Sequence, residues 1–258
     1  MNNKKINLEA KARCEGLVFE TNNSGVAEVV DYINKKKVGV KFLETGSIQY
    51  FWMKDVKKGN IRDCLTSKVC GVGLKGFANS LDEDGNKSRF YTLWGSAIKR
   101  CYSKTNSKDN SYYNRCSVSE EFRDYSFFKS WCEEQVGCEE VGWHLDKDLI
   151  KKGNLEYSPK FCCFLPPEVN TAIIRSKIWS SDLPQGVSMS TDKKKFRARI
   201  SVDGIGKHLG VFNTVEEAFL VYKKEKEAYL KVLAERWKGR IDSRAYEALI
   251  NWEVNIDD

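Results

Sequence analysis

Long apolar runs are missing from this sequence. No stretch approaches the roughly 18 consecutive apolar residues that a membrane-spanning helix requires, and the opening MNNKKINLEAKAR lacks the apolar core of a secretory signal. No membrane partner is expected, and the expected location is the cytoplasm. Paired-cysteine motifs are missing too. The nine cysteines are odd in number and include no C-x-x-C, so their spacing fits no standard zinc pattern and no zinc is expected. Such thiols are expected to stay reduced and mostly buried. Histidine is scarce, with His144 and His208 the two in the chain. Low complexity is confined to short lysine runs, and a composition of 41% hydrophobic, 12% aromatic and 31% charged residues is that of a folded chain. At 258 residues there is room for two or three small domains.

Positive charge is what the sequence has in excess, and it is concentrated. The net charge is +7. Between Ile33 and Lys68 nine Lys/Arg stand against three acidic residues, and between Pro184 and Phe212 six stand against two. Patches of this kind suit a polyanion such as nucleic acid. A solvated, lysine-rich surface is the alternative.

Residues 15 to 63 alternate short apolar runs with turn residues, which predicts a small twisted antiparallel sheet or barrel. Val38, Val40 and Phe42 fall on one face of a strand, and Gly39, Lys41 and Leu43 on the other. The glycine-rich, polar stretch from Val69 to Arg89 reads as a linker or exposed loop. Two amphipathic helices follow, with Leu93, Trp94, Ile98 and Cys101 on one and Phe127, Phe128 and Trp131 on the other as core candidates.

The clearest periodicity is in KKFRARISV. Phe196, Ala198, Ile200 and Val202 share one face of a strand, while Lys195, Arg197, Arg199 and Ser201 share the opposite one. GVSMS before it and KHLGVF after it read as neighbouring strands, joined by TDKK and DGIG turns. Thr214 and Glu217 then open a helix with a capping-box pattern, and Val215, Ala218, Phe219 and Tyr222 form its apolar stripe.

In this order of elements, Gly186 to about Tyr229 resembles the plant ethylene-response-factor (APETALA-type) DNA-binding domain, variants of which occur in phage and mobile-element nucleases. The resemblance implies that the sheet enters the major groove of double-stranded DNA. Ser188, Ser190, Arg197, Arg199, Ser201 and His208 would face it, with Lys193, Lys194 and Lys195 in the first turn. Two arginines two apart on a strand are also what groove reading requires, because arginine bonds guanine bidentately. Ser188 and Ser190 stand where the plant domain has arginine, and His208 where it has tryptophan, so base preference is not carried over.

Residues 142 to 170, GWHLDKDLIKKGNLEYSPKFCCFLPPEVN, resemble the HNH (His-Me finger) nucleases, and most closely the phage homing-endonuclease-like proteins of that class. Trp94 with Arg100, Cys101 and Tyr102, the LDKD at 145–148 and the segment from Tyr157 to Pro166 carry the resemblance. It implies that His144 is a general base taking a proton from water, a role suited to imidazole. It also implies Mg²⁺ or another divalent metal on carboxylate oxygen, with Asp146 and Asp148 as the candidate ligands. Both are two apart on an expected strand whose face His144 shares. Asn154 would orient the imidazole or complete the loop. The sequence departs from the family at Trp143, before the base, and at Phe161, aligned with the helix-borne Asn or His; neither can hold a metal.

The expected fold class is α+β, with a basic β module at 1–68, an HNH-like ββα central domain with flanking helices at 69–182, and a three-stranded sheet plus helix at 183–258. The expected function is that of a phage or mobile-element endonuclease acting on double-stranded DNA, in the host cytoplasm if phage-encoded. Two alternatives stay open. One is a catalytically inactive DNA-binding protein on the same scaffold, with Asp146 and Asp148 paired to nearby lysines and FCCFLPP simply core; the other is a phage protein that blocks a host protein.

Overall fold

The computed structural model describes residues 9–66, 68–103, 115–174, 183–191 and 194–258, and the fold is α+β. The chain divides into two compact units, one ending at Ser130 and the other beginning at Trp131. Among the described residues no helix is long and apolar enough to cross a membrane.

The first unit opens with strands β1 (Val18–Glu20), β2 (Val26–Asn34), β3 (Lys37–Phe42) and β4 (Ile48–Phe51), an antiparallel sheet in that spatial order. Alternation decides its faces. Val38, Val40 and Phe42 are fully buried with Val29 and Tyr32, and helix α1 (Met53–Lys57) adds Val56 to the same core. Asp63 is also fully buried. Its carboxylate is tolerated there because it accepts from Ser47 Oγ at 2.7 Å, Gln49 Nε2 at 2.8 Å, the Leu65 amide at 2.9 Å and the Thr45 hydroxyl.

The glycine-rich stretch, expected to be a linker or exposed loop, is exposed over residues 81–87 but ordered at its start. It holds a short antiparallel ladder of β5 (Lys68–Val69) and β6 (Gly73–Leu74), and Gly73 is a glycine because a Cβ there would come within 2.9 Å of the Trp94 ring. Helix α2 (Arg89–Tyr102) starts at Ser88, whose hydroxyl accepts the Tyr91 amide, and buries Trp94, Ala97, Ile98 and Cys101. Strand β7 (Ser117–Val118) and the short helix α3 (Glu120–Arg123) follow, then helix α4 (Tyr125–Glu133). On α4 the inward set is Tyr125, Phe128 and Cys132, at i, i+3 and i+7, while Phe127 is 43% exposed. The expected core role of Phe127 is therefore corrected: it sits on the other side of that stripe.

The second unit contains β8 (His144–Asp146), β9 (Glu156–Tyr157), β10 (Cys163–Leu165) and α5 (Pro167–Ile173). These are followed by β11 (Val187–Met189), β12 (Phe196–Val202), β13 (Ile205–Phe212), α6 (Val215–Trp237) and α7 (Ser243–Ile250). Strands β11, β12 and β13 form an antiparallel sheet in that order, and β8 pairs antiparallel with β10. One buried cluster joins Cys163, Leu165 and Val169 to Ala198 and Ile200 of the sheet and to Phe219, Leu230 and Leu233 of α6. Residues on both sides of position 182 thus share a single core. The capping box at Thr214 and Glu217 is present in both directions, at 3.2 and 3.3 Å. The last hairpin is tighter than the DGIG motif suggests. Asp203 and Gly204, with φ of 50° and 80°, make a two-residue turn of the type that matches strand twist, and β13 begins at Ile205.

Gly186 marks where β11 meets α6: its φ is +81°, and a Cβ would lie 2.0 Å from Cδ2 of Tyr222. Gly186→Ala is expected to cost about 3 kcal/mol, from overpacking and a left-handed backbone together. Urea denaturation should show a lowered midpoint with an unchanged slope.

Candidate functional site

Two strands and a helix place the site in the second unit. Leu165 of β10 lies opposite His144 of β8, and Cys163 lies opposite Asp146. Pro166 then enters α5 with Pro167 in its first turn, where the fixed φ of proline favours helix and a missing amide costs nothing. Helix α5 brings Asn170, which is buried, to His144, which is exposed; Asn170 Nδ2 and His144 Nδ1 are hydrogen-bonded at 2.9 Å. An amide can serve either tautomer of the ring by presenting its N–H or its oxygen. As placed, Nδ2 donates to Nδ1 and the neutral ring carries its proton on Nε2; with the carboxamide turned over, its oxygen accepts Nδ1–H and Nε2 is left as a free base.

The other expected members do not converge on the imidazole. Asp146 is buried and its Oδ1 accepts the amides of Asp148 at 2.8 Å and Leu149 at 2.7 Å, which closes the turn out of β8. Burial raises its pKa, with those two amides pulling the other way. The strand ends at Asp146, so the alternation that was to place Asp148 on the same face does not reach it. Asp148 instead pairs with Lys147, whose ammonium also donates to the Asn154 carbonyl at 2.9 Å. Asn154 completes the loop rather than orienting the ring: its Nδ2 donates to the carbonyls of Lys147 at 2.8 Å and Glu156 at 2.7 Å. Phe161 lies in the turn before β10, not on the helix, and Trp143 packs edge-on against Trp237 with centroids 5.5 Å apart. Among the described residues no three His, Cys, Asp or Glu side chains cluster to hold a metal ion. Asp146 Oδ1 is taken by backbone amides, and the half-exposed Asp148 pairs with Lys147.

Cys162 and Cys163 are core. Burial pushes the Cys162 thiol up to about 12 and raises Cys163 as well, so neither is a thiolate at neutral pH.

Three charged side chains that sequence reasoning missed hold this hairpin and helix in place. Lys226 of α6 is buried and donates to the carbonyl of Ala172, in the last turn of α5. Arg236 bonds Glu168 of α5 at 3.0 Å, and the Trp237 indole donates to the same carboxylate. Arg244 of α7 reaches the carbonyls of Lys160 at 2.9 Å and Cys162 at 3.3 Å while paired with Asp242. The faint signal was a lysine falling on the apolar stripe of α6. Asn170 gave no signal beyond the Pro-Pro that announces its helix.

The second expected site is the sheet face turned away from α6. Register sets Ser188 opposite Arg197, Arg197 opposite Val211, Arg199 opposite His208 and Ser201 opposite Gly206, with an irregularity between Ala198 and Arg199. Arg199, Ser201 and His208 are exposed, as are Lys194 and Lys195 in the first turn; Lys193 lies outside the described residues. Two side chains are partly committed. Ser190 closes the first turn by accepting the Lys195 amide at 3.1 Å, and Arg197 folds back so that Nη2 donates to the Met189 carbonyl at 3.0 Å while its Nε is buried without a partner.

Comparison with known protein families, curated proteins and solved structures finds no match to this chain.

Two outcomes test the geometry. Asn170→Ala should change the ring tautomer populations of His144, read from imidazole ¹⁵N shifts, whereas Asn154→Ala should leave them unchanged and destabilise the fold by about 2 kcal/mol through two lost buried bonds. Burial lowers the Lys226 pKa from 10.5 to about 8. The unfolded chain therefore holds a proton that the folded one has lost between those values, and stability rises with pH across that window. Relative to Lys226→Met, the wild-type chain should gain on the order of 3 kcal/mol between pH 7 and 10.5 in urea unfolding.

Proposed function

We propose that this chain is a double-stranded DNA-binding protein that uses the outer face of the β11–β13 sheet. The observation that carries the reading is the register that lines up Arg199 with His208, and Arg197 with Ser188, on a face whose opposite side is packed on α6. Strands lie about 4.8 Å apart, so three of them span roughly 10 Å, comparable to the ~12 Å width of the major groove. Arg199 is the residue for base edges, being exposed with a two-nitrogen fork; Lys194 and Lys195 supply sequence-independent attraction to phosphates.

A second reading, hydrolysis of a phosphodiester, is favoured by the Asn170–His144 bond. In it His144 Nε2 takes a proton from water, the resulting hydroxide attacks phosphorus, and the 3′ oxygen leaves and is protonated from solvent. With its carboxamide oxygen turned to Nδ1–H, Asn170 holds the ring and stabilises the cation that forms. No step is routed through Asp146, Asp148 or a metal on them.

Supercoiled plasmid and a short labelled duplex test both readings. Arg199→Ala should weaken duplex binding by about tenfold and relax sequence preference, whereas Lys195→Ala should lower the slope of log affinity against log salt by about 1. Unchanged affinity in Arg199→Ala together with an unchanged slope in Lys195→Ala sinks the DNA-sheet reading. Nicking, scored in Mg²⁺ and in EDTA, should disappear in His144→Ala while the mobility shift persists; a shift without nicking in the wild-type chain leaves DNA occupancy as the activity.

A further inference from the structure

The first unit carries a surface that the sheet of the second unit does not account for. Along β4 and the residue after it, Ile48, Tyr50 and Trp52 are 51%, 50% and 46% exposed, while Gln49 and Phe51 between them turn inward. Large aromatics at i and i+2 on a solvent face lie about 6.6 Å apart along the strand. Their rings are displayed, not buried. Tyr50 is laid across the sheet: a Cβ at Gly39 would come within 3.2 Å of its ring, and its hydroxyl bonds the Asp31 carboxylate at 3.2 Å. Lysines surround both rings, with the Lys37 ammonium 5.2 Å from the Tyr50 centroid, and those of Lys36 and Lys54 at 5.5 and 4.3 Å from that of Trp52. The stretch from Ile33 to Lys68 holds nine cationic residues against three acidic ones, and Asp63 among those three is buried and fully hydrogen-bonded.

A partner must satisfy both features at once. An acidic peptide would answer the ammonium groups and leave the ring faces in water; duplex DNA offers phosphates, but its bases are already stacked on each other. A single strand offers unstacked bases beside phosphates, and base-on-ring stacking with nearby lysines is how such strands are held without regard to sequence. We propose that Tyr50 and Trp52, with Lys36, Lys37 and Lys54, form a platform for single-stranded nucleic acid, the bases stacking on the rings and the ammonium groups moving from ring to phosphate. This surface belongs to the first unit and the proposed duplex-binding face to the second, and neither proposal depends on the other.

The test is fluorescence anisotropy of a labelled oligothymidine single strand with the full chain, beside the labelled duplex and with polyglutamate as competitor. Trp52→Ala should weaken single-strand binding between 5- and 100-fold, Trp52→Phe should restore most of it, and duplex binding should stay within twofold. Replacing Lys36 and Lys54 by alanine should lower the salt slope for the single strand by about 1.4, at roughly 0.7 per phosphate contact. Trp52 is half exposed, so an unchanged unfolding midpoint shows that the variant is folded. Unaltered single-strand affinity in Tyr50→Ala/Trp52→Ala overturns the proposal, as does competition by polyglutamate equal to that by unlabelled oligothymidine. Because Arg199→Ala reports on the duplex face alone, failure of either site is visible without the other.

Discussion

Burial against helix α6 is the interaction on which the second unit depends. Its 23 residues, at 1.5 Å rise each, give it the reach to serve two layers. Ala218, Phe219 and Tyr222 in its first half face Val187, Ala198 and Ile200 of the sheet, and Leu230, Leu233 and Ala234 extend the same cluster to α5 and α7. Hydrophobic area alone would let these layers slide, since apolar contact is not directional. Direction comes from polar contacts that α6 makes within and beside its apolar stripe. Lys226 fixes the end of α5, Arg236 and Trp237 fix its beginning through Glu168, and Trp143 stacks edge-on against Trp237. The hairpin that bears His144 and the sheet that bears Arg199 are therefore parts of one packed body, and neither can rearrange without disturbing α6.

Much of this body is legible in the sequence wherever a short period decides the outcome. The alternation in KKFRARISV gives the strand, its buried face and its cationic face, because successive strand side chains have nowhere else to point. The capping box and the apolar stripe of α6 are equally local. Val38, Val40 and Phe42 follow the same logic in the first unit. Where the reading departs, a longer-range fact intervenes. Phe127 looks like core beside Phe128, but the helix phase is set by Tyr125 and Cys132. The stretch after Val69 reads as linker or exposed loop, which suits residues 81–87, yet Gly73 is there to admit the Trp94 ring.

The candidate site was half legible for the same reason. His144 stands out as one of two histidines, and the strand under it was foreseeable. Its partner was not, because Asn170 reaches the ring only through the pairing of β8 with β10 and the start of α5 at Pro167, and no local pattern encodes that distance. The acidic pair misled by its spacing. Asp146 and Asp148 would share a face only on a strand that continued, and Asp146 itself ends the strand by capping the two amides that follow. Its carboxylate is spent on backbone geometry, an ordinary use for an aspartate at a turn.

The two-residue turn at Asp203 and Gly204 has a bearing on which chemistry the sheet can display. Arg236 grips both oxygens of Asp203, at 2.9 and 3.0 Å, and the Tyr229 hydroxyl donates to the same carboxylate. The hairpin is thereby tethered to α6 at its tip. A slip of β12 against the core by one position would exchange its faces, sending Arg197 and Arg199 inward and Ala198 and Ile200 out to water. Such a slip would break a bidentate ion pair as well as expose Ala198 and Ile200, so α6, on the other side of the sheet, helps to fix which charges the outer face displays. Sequence changes on the outer face can then accumulate freely, altering what is recognised while the scaffold keeps presenting the same strand positions outward.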